Sequence, residues 1–364
     1  MLRKWISKEG AISIDVGSHS IKFCQMRCDG TIEEALECPT PQDTVREGTV
    51  IDAPAVGAAI KRTIQEIGLK GGAVSLTVGG PAVVARPVKL PSMTNDALAK
   101  SIQYEASRYL PTATSEHYVG FDVISRNADQ MEALIVAAPR EVVQSRLQAA
   151  RIAGLDPEVV EIEPFALLRS VQLQATDVEN PAGLALIDIG ANHTQVTVMH
   201  GSAFALTRYI NIGSEVMSTA IRNYFHYSPE EADEVKRSVN LSELVTPGGA
   251  PQENPPLRLL QPIFDELVRE IRRSLNYYQS QMADDSGKDA RIDRLLLGGG
   301  GSLMAGVADY FHHKLNLPAE ILNPFASPAI DASRVTAESQ SIGPAYATVV
   351  GAAMGASMEL ATAA

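Results

Sequence analysis

The sequence predicts an α/β protein of two lobes, each built on the same mixed α/β design. Three observations predict it. An apolar strand that ends in Asp15-x-Gly17 and leaves as a second strand recurs as Asp188-x-Gly190. A strand at residues 291–297 runs straight into four glycines, Gly298 to Gly301. Strand and helix patterns alternate in mixed order through both halves, and at 364 residues the chain can enclose at least two hydrophobic cores.

The elements follow in order. Ile12/Ile14, Ile21/Phe23 and Ile32 mark three early strands by their alternation. Residues 52–67 form a helix with Asp52 as cap and Pro54 in its first turn, ended by Gly71-Gly72, and 73–78 is the next strand. Pro87 and Pro91 mark a change of texture. A helix at 95–109 stopped by Pro111, strands at 118–125 and 131–137, and a helix at 140–153 stopped by Gly154 then read as a compact block inserted into the first lobe. The chain returns with a strand at 157–162 and a helix at 165–171, and residues 177–183 with Pro181 are the lobe boundary.

The second lobe opens with the Asp188 hairpin and a strand at 204–210. A helix at 214–224 has Ser214 at its start as a cap. Ser228-Pro229-Glu230-Glu231 has the start signature of another helix: a serine cap, proline first, acids in the first turn. After a Pro/Gly-rich loop at 246–256, Ile263, Phe264, Leu267, Val268, Ile271 and Leu275 recur at helical spacing on residues 262–282. Arg269, Arg272 and Arg273 fall on its other, solvated faces. A loop at 283–289, the strand and four glycines, a helix at 303–315, a loop at 323–343 and a small-residue helix at 344–360 that packs back on the first lobe complete the chain.

Composition narrows the function. Apolar residues make up 45% and charged residues 20%, an ordinary globular balance. A net charge of −12 without a dense Lys/Arg patch argues against duplex nucleic acid as a partner. The three cysteines, Cys24, Cys28 and Cys38, lack zinc spacing and suit a reducing cytosol, and His19, His193, His312 and His313 have no partners at ligand spacing. No apolar run approaches the roughly 20 residues of a membrane helix, and no signal-peptide pattern opens the sequence. Residues 1–8 mix basic and apolar side chains, which suits either a frayed terminus or contact with a membrane surface.

The chemistry lies in the turns. A tight turn after a strand presents backbone N–H groups suited to phosphate oxygens. A carboxylate beside those donors would repel phosphate unless a cation lay between, so Asp15 and Asp188 together imply Mg²⁺, held through water. Four glycines between a buried strand and a helix cost backbone entropy, and a chain keeps them where a ring or a phosphate must approach the backbone.

With Asp15-x-Gly17-Ser18-x-Ser20-x-Lys22, Asp188-x-Gly190-Ala191, the stretch 204–213 with Arg208 and Gly213, Ser228 to Lys236, Leu297 to Leu303 and Asn323-Pro324-Phe325 in this order, nearly the whole chain resembles the actin-like ATPase superfamily. Within it the chain is most similar to the PilM family of type IV pilus assembly, in the branch that includes FtsA. The resemblance implies an actin-like ATPase fold closed around a nucleotide cleft. Its subdomains would be 1A at 1–85 and 158–182, an inserted 1C at 86–157, 2A at 183–215 and 290–343, 2B at 216–289, and a helix at 344–364 returning to 1A. It also implies ATP and Mg²⁺ as ligands. By position, Gly17, Ser18, Ser20 and Lys22 would form the first phosphate loop, Gly190 and Ala191 the second, and Gly298, Gly299, Gly300 and Ser302 the adenosine motif. Asp233 and Lys236 occupy the ribose positions, with Asp one methylene shorter than the family's Glu; a solvated helix face explains both equally. Lys22 also fits a strand-edge lysine. Glu163 matches the residue that positions the attacking water, and equally a carboxylate placed at a helix start by the dipole.

Three functions are consistent with this resemblance. The first is a cytoplasmic ATP-binding adaptor with at most slow ATPase activity, tied to the inner membrane through the short cytoplasmic N-terminal segment of a PilN-like membrane protein. The second is a self-associating FtsA- or MreB-like filament former; the end of the sequence lacks FtsA's basic amphipathic helix, and the insert is misplaced for MreB. The third is a small-molecule kinase with Glu161 or Glu163 as base.

Overall fold

The computed structural model describes residues 10–66, 68, 73–172, 183–201, 203–246, 254–286 and 291–363. Residues 1–8, Gly71-Gly72 and most of the expected lobe boundary lie outside these.

In the first lobe β1 (Ala11–Val16), β2 (Ser20–Met26) and β3 (Ile32–Pro39) form an antiparallel meander. A two-stranded hairpin, β4 (Val45–Arg46) and β5 (Thr49–Val50), leads into α1 (Ala53–Glu66), whose first turn is capped by Asp52 accepting from Ala55 N (2.9 Å). Next, β6 (Ala73–Val78) lies parallel to β1. The insert follows as β7 (Val84–Pro91), α2 (Asn95–Ser107), β8 (His117–Arg126) and β9 (Gln130–Pro139), then α3 (Arg140–Ile152), β10 (Asp156–Ile162) and α4 (Glu163–Gln172). The main sheet runs β10-β6-β1-β2-β3. Pro87 and Pro91 sit within β7, an edge of the separate β7-β9-β8 sheet, where a missing N–H is tolerated. Val88, Leu90, Leu98 and Ile102 give that sheet and α2 a core of their own. By contrast α3 packs on α1 and contributes Ala149 and Ala150 to the first-lobe core.

The second lobe repeats the plan. β11 (Gly183–Ile189), β12 (Thr194–His200) and β13 (Ala203–Ile210) form the meander, and α5 (Ser214–Phe225), α6 (Pro229–Ser238) and the long α7 (Pro255–Ser286) follow. Then β14 (Ile292–Gly298) lies parallel to β11, followed by α8 (Val307–Leu315), β15 (Ala319–Ile321), α9 (Ala337–Ser341) and α10 (Ala347–Ala363). The order β13-β12-β11-β14-β15 is that of the first lobe, strand for strand. Asp15 faces Lys22 across its ladder as Asp188 faces Gln195 across the other.

Several boundaries differ from the sequence reading for identifiable reasons. α7 starts at Pro255, not at residue 262, and runs through Pro262 to Ser286. Asn254 Oδ1 accepts from Leu257 N (3.2 Å), and full burial of Leu257, Leu260 and Phe264 offsets the backbone bond that Pro262 lacks. Ser214 does not cap α5. The cap position is Gly213, and the amides of Ser214 and Glu215 donate to the carbonyls of Gly190 and Ala191 (2.9 Å each), so the second hairpin turn caps the helix. A Cβ at Gly213 would meet the Ala191 oxygen at 2.1 Å. The glycines do not enter a helix directly either: Gly300–Leu303 is a 3-10 turn, and α8 begins only after Gly306 (φ 72°). At the end of the chain a 3-10 turn, Gly343–Tyr346, precedes α10, which packs on α4, β1 and β2 of the first lobe.

Candidate functional site

A cavity of about 690 Å³ opens between the two main sheets, at the ends of β1 and β11. The hairpin turns are built alike. Gly17 N donates to Ser20 O (3.2 Å) and Gly190 N to His193 O (2.9 Å), so each glycine amide closes its own turn and Ser18, His19, Ala191 and Asn192 stand at the tips, all on the cavity wall. Lys22 Nζ donates to Ser20 Oγ (2.7 Å) and lies 3.7 Å from Glu37 across the ladder. Its side chain is 14% exposed and lines the cavity, so it is no solvated edge lysine. Asp15 accepts from Thr77 Oγ1 (2.6 Å).

Asp188 and Glu163 also line the cavity, deep between the lobes. Burial pushes the Asp188 carboxyl up to about 7, helped by the charge of Asp15 and opposed by Lys22. Burial likewise pushes Glu163 up to about 8, with Asp15 and Asp188 adding to the rise and Arg146 opposing it. Gly79 makes room for Glu163: a Cβ there would fall within 2 Å of its carboxylate, at 1.8 Å from Oε2. Gly299 (φ 77°) does the same for Asp188, whose Oδ1 would lie 2.8 Å from an added Cβ.

The remaining expected residues divide. Gly299 and Gly300 line the cavity, and a Cβ at Gly300 would meet nothing within 4 Å. Gly298 and Ser302 are not on the wall; Ser302 Oγ donates to Gly299 O (2.7 Å) and braces the glycine turn from behind. Asp233 and Lys236 are on the wall, bonded to each other (2.7 Å) and both to Ser218 Oγ (2.6 Å each). Burial raises the Asp233 carboxyl, but the hydrogen bonds from Lys236 and Ser218 outweigh it and leave it below its ordinary value.

Among the residues that line the site without appearing in the sequence reading are Gly79, Arg146, Gln195 and Tyr209. Gln195 was legible, since it stands seven positions after Asp188 as Lys22 does after Asp15, and Tyr209 pairs with Gln195 on the next strand. The Gly79-Gly80 pair ending a strand was a signal as well. Arg146, on an amphipathic helix, had none.

These features suit a phosphate chain more than a bare metal. Among the described residues no three His, Cys, Asp or Glu side chains are arranged to hold an ion, so a cation here would rest on water and on the ligand's own oxygens. Two raised carboxyls beside glycine turns and a lysine are the electrostatics that a cation bound with an anion would relieve.

A profile of the type IV pilus assembly protein PilM matches residues 13–357. A chain of the solved PilM–PilN type IV pilus biogenesis complex has 25% identity and a TM-score of 0.83, over 96% of this chain and 99% of that one. MreB5 of Spiroplasma citri bound to ADP has 14% identity and a TM-score of 0.53, over 97% of each chain. FtsA of Streptococcus pneumoniae is 22% identical over 272 residues, 66% of this chain and 58% of the FtsA chain, so this chain spans less than two thirds of that relative. The fold is the actin-like ATPase fold.

Proposed function

The chain belongs to the PilM family of type IV pilus assembly proteins, and from that premise we propose that it is an ATP-binding adaptor of the pilus inner-membrane platform. In this reading Mg-ATP fills the cleft. Lys22 with the Ser18 and Ser20 turn and the Gly190-Ala191 turn holds the phosphates; Asp15 and Asp188 hold Mg²⁺ through water; Gly299 and Gly300 lie along the adenosine, with Asp233 and Lys236 beside the ribose. In the same reading Glu163 would orient an attacking water for any hydrolysis. The observation that carries the reading is the single cavity joining both hairpins, which puts Asp15, Lys22, Glu163 and Asp188 on one wall system.

The partner is a PilN-like membrane protein, bound through its short N-terminal segment as an extended peptide or helix in a groove. The chain then works in the cytoplasm, attached to the inner membrane by that partner. The likeness to a chain of the PilM–PilN complex supports this, and among the described residues no helix is long and apolar enough to cross a membrane.

Retention of a PilN-type protein from detergent-solubilised membranes tests the proposal, with wild type and Asp188→Ala compared in Mg-ATP. Wild type is expected to retain one single-pass protein with a short cytoplasmic tail and the variant to retain less. Retention of this chain alone, with ATP-dependent pelleting, would favour an FtsA-like filament instead.

A further inference from the structure

Arg146 is 2% exposed, yet it lies on the cavity wall. Among the described residues its guanidinium donates only to backbone carbonyls, Gly48 O and Val142 O (3.4 Å), and its Nε has no partner. Among the described residues it makes no ion pair, while Glu163 and Asp15 act on it from further away. A guanidinium stays charged when buried, and a buried charge with no counter-charge in contact is costly. A fold retains such a group where an anion arrives to meet it.

Its place in the cavity says which part of an anion. Arg146 bonds Gly48, Gly48 is seated against Gly79, and Gly79 lies directly under the Glu163 carboxylate, so the guanidinium stands at the Glu163 end of the cavity. The head is also held in place beforehand. It bonds Gly48 (φ 81°) at the β4–β5 turn, and that turn is seated so closely on Gly79 that a Cβ at Gly48 would lie 2.2 Å from Gly79 O. Little side-chain entropy remains to be lost on binding.

We infer that Arg146 binds the terminal phosphate of a nucleoside triphosphate, so that a residue of α3, and not the two hairpin turns, distinguishes triphosphate from diphosphate. The inference rests on the nucleotide reading above.

Calorimetric titration of the full chain with Mg-ATP and Mg-ADP tests it, on wild type and Arg146→Gln. Wild type is expected to prefer ATP by at least about tenfold. The variant should lose about 10- to 100-fold in ATP affinity and less than about threefold in ADP affinity, the range for a charged hydrogen bond. An unchanged ATP-to-ADP ratio in the variant, or no preference in wild type, overturns the inference and leaves the nucleotide site standing. A wild type that binds neither nucleotide overturns both. If Arg146→Gln does not fold, hydrogen exchange on wild type decides: Mg-ATP should protect Gly48 and residues 140–152 more than Mg-ADP does, and equal protection refutes the assignment.

Discussion

The two hairpins at the cleft are one structure with two electrostatic characters. Both belong to five-stranded sheets of the same order, both close their turn with a glycine amide, and both place an aspartate opposite the residue seven positions on. In the first lobe that residue is Lys22, with Glu37 beyond it; in the second it is Gln195, with Tyr209 beyond it. Across the ladder Asp15 therefore faces a lysine, and it accepts from Thr77, whereas Asp188 faces a neutral amide, and burial pushes its carboxyl up to about 7. Duplication supplied the geometry twice. The lysine was supplied once, and its charge reaches Asp188 of the other hairpin as well.

The largest effect should come from removing the two aspartates in turn. Asp188→Ala is expected to weaken Mg-ATP about 100-fold and to leave the apo protein as stable as before or more so, because a poorly compensated carboxylate is gone. Asp15→Ala should lower apo stability by about 1–3 kcal/mol, since the Thr77 hydroxyl loses its acceptor. Thermal melting with and without Mg-ATP reads both, and equal apo melting points for the two variants would break the comparison. Lys22→Gln, which gives the first hairpin the second's chemistry, should cost about tenfold in ATP affinity by loss of a charge-assisted bond. It should also make binding depend more steeply on Mg²⁺, because Asp188 loses the charge that now opposes its rise.

Much of this was legible because strands and turns declare themselves locally. Asp15-x-Gly17 and Asp188-x-Gly190 mark the hairpins, and Ser228 with Glu231 forms the capping box that the sequence pattern announces. What stayed hidden depends on chain segments far apart. Ser214 reads as a cap, but the Gly190 and Ala191 carbonyls take that role from 24 residues upstream. Pro262 reads as a helix start, but burial of Leu257 and Leu260 carries the helix through it. Arg146 looks like any solvated helix arginine until α3 is laid against the cleft. Ser302 sits in a glycine motif and still faces away from the cavity.

A smaller effect concerns pH. Glu163 and Asp188 hold their protons more tightly folded than unfolded, so what they add to stability is complete below about pH 4 and is lost as pH rises through about 7 to 8. Apo protein should melt several degrees lower at pH 8 than at pH 6. Glu163→Gln, which cannot ionise, should flatten that slope. An identical slope in the variant would show that Glu163 is already ionised at pH 6.

The smallest effect gives the sharpest view of the second hairpin. Gln195 is 3% exposed; its Nε2 donates to Thr197 Oγ1 (3.0 Å), while its Oε1 accepts nothing among the described residues. A buried acceptor left unmade costs more than an apolar group of similar shape, so Gln195→Leu should leave apo stability unchanged or raise it by up to about 1 kcal/mol. Gln195→Lys makes the opposite change and puts a second cation near Asp188, in addition to Lys22. Its carboxyl should then ionise at lower pH, and the Mg²⁺ dependence of nucleotide binding should become shallower. If Gln195→Leu instead lowers the melting point, Oε1 has a partner in solution, and the second hairpin is compensated by the protein itself. If Gln195→Lys leaves the Mg²⁺ dependence untouched, the lobes differ in sequence at this position without differing in what they ask of the ligand.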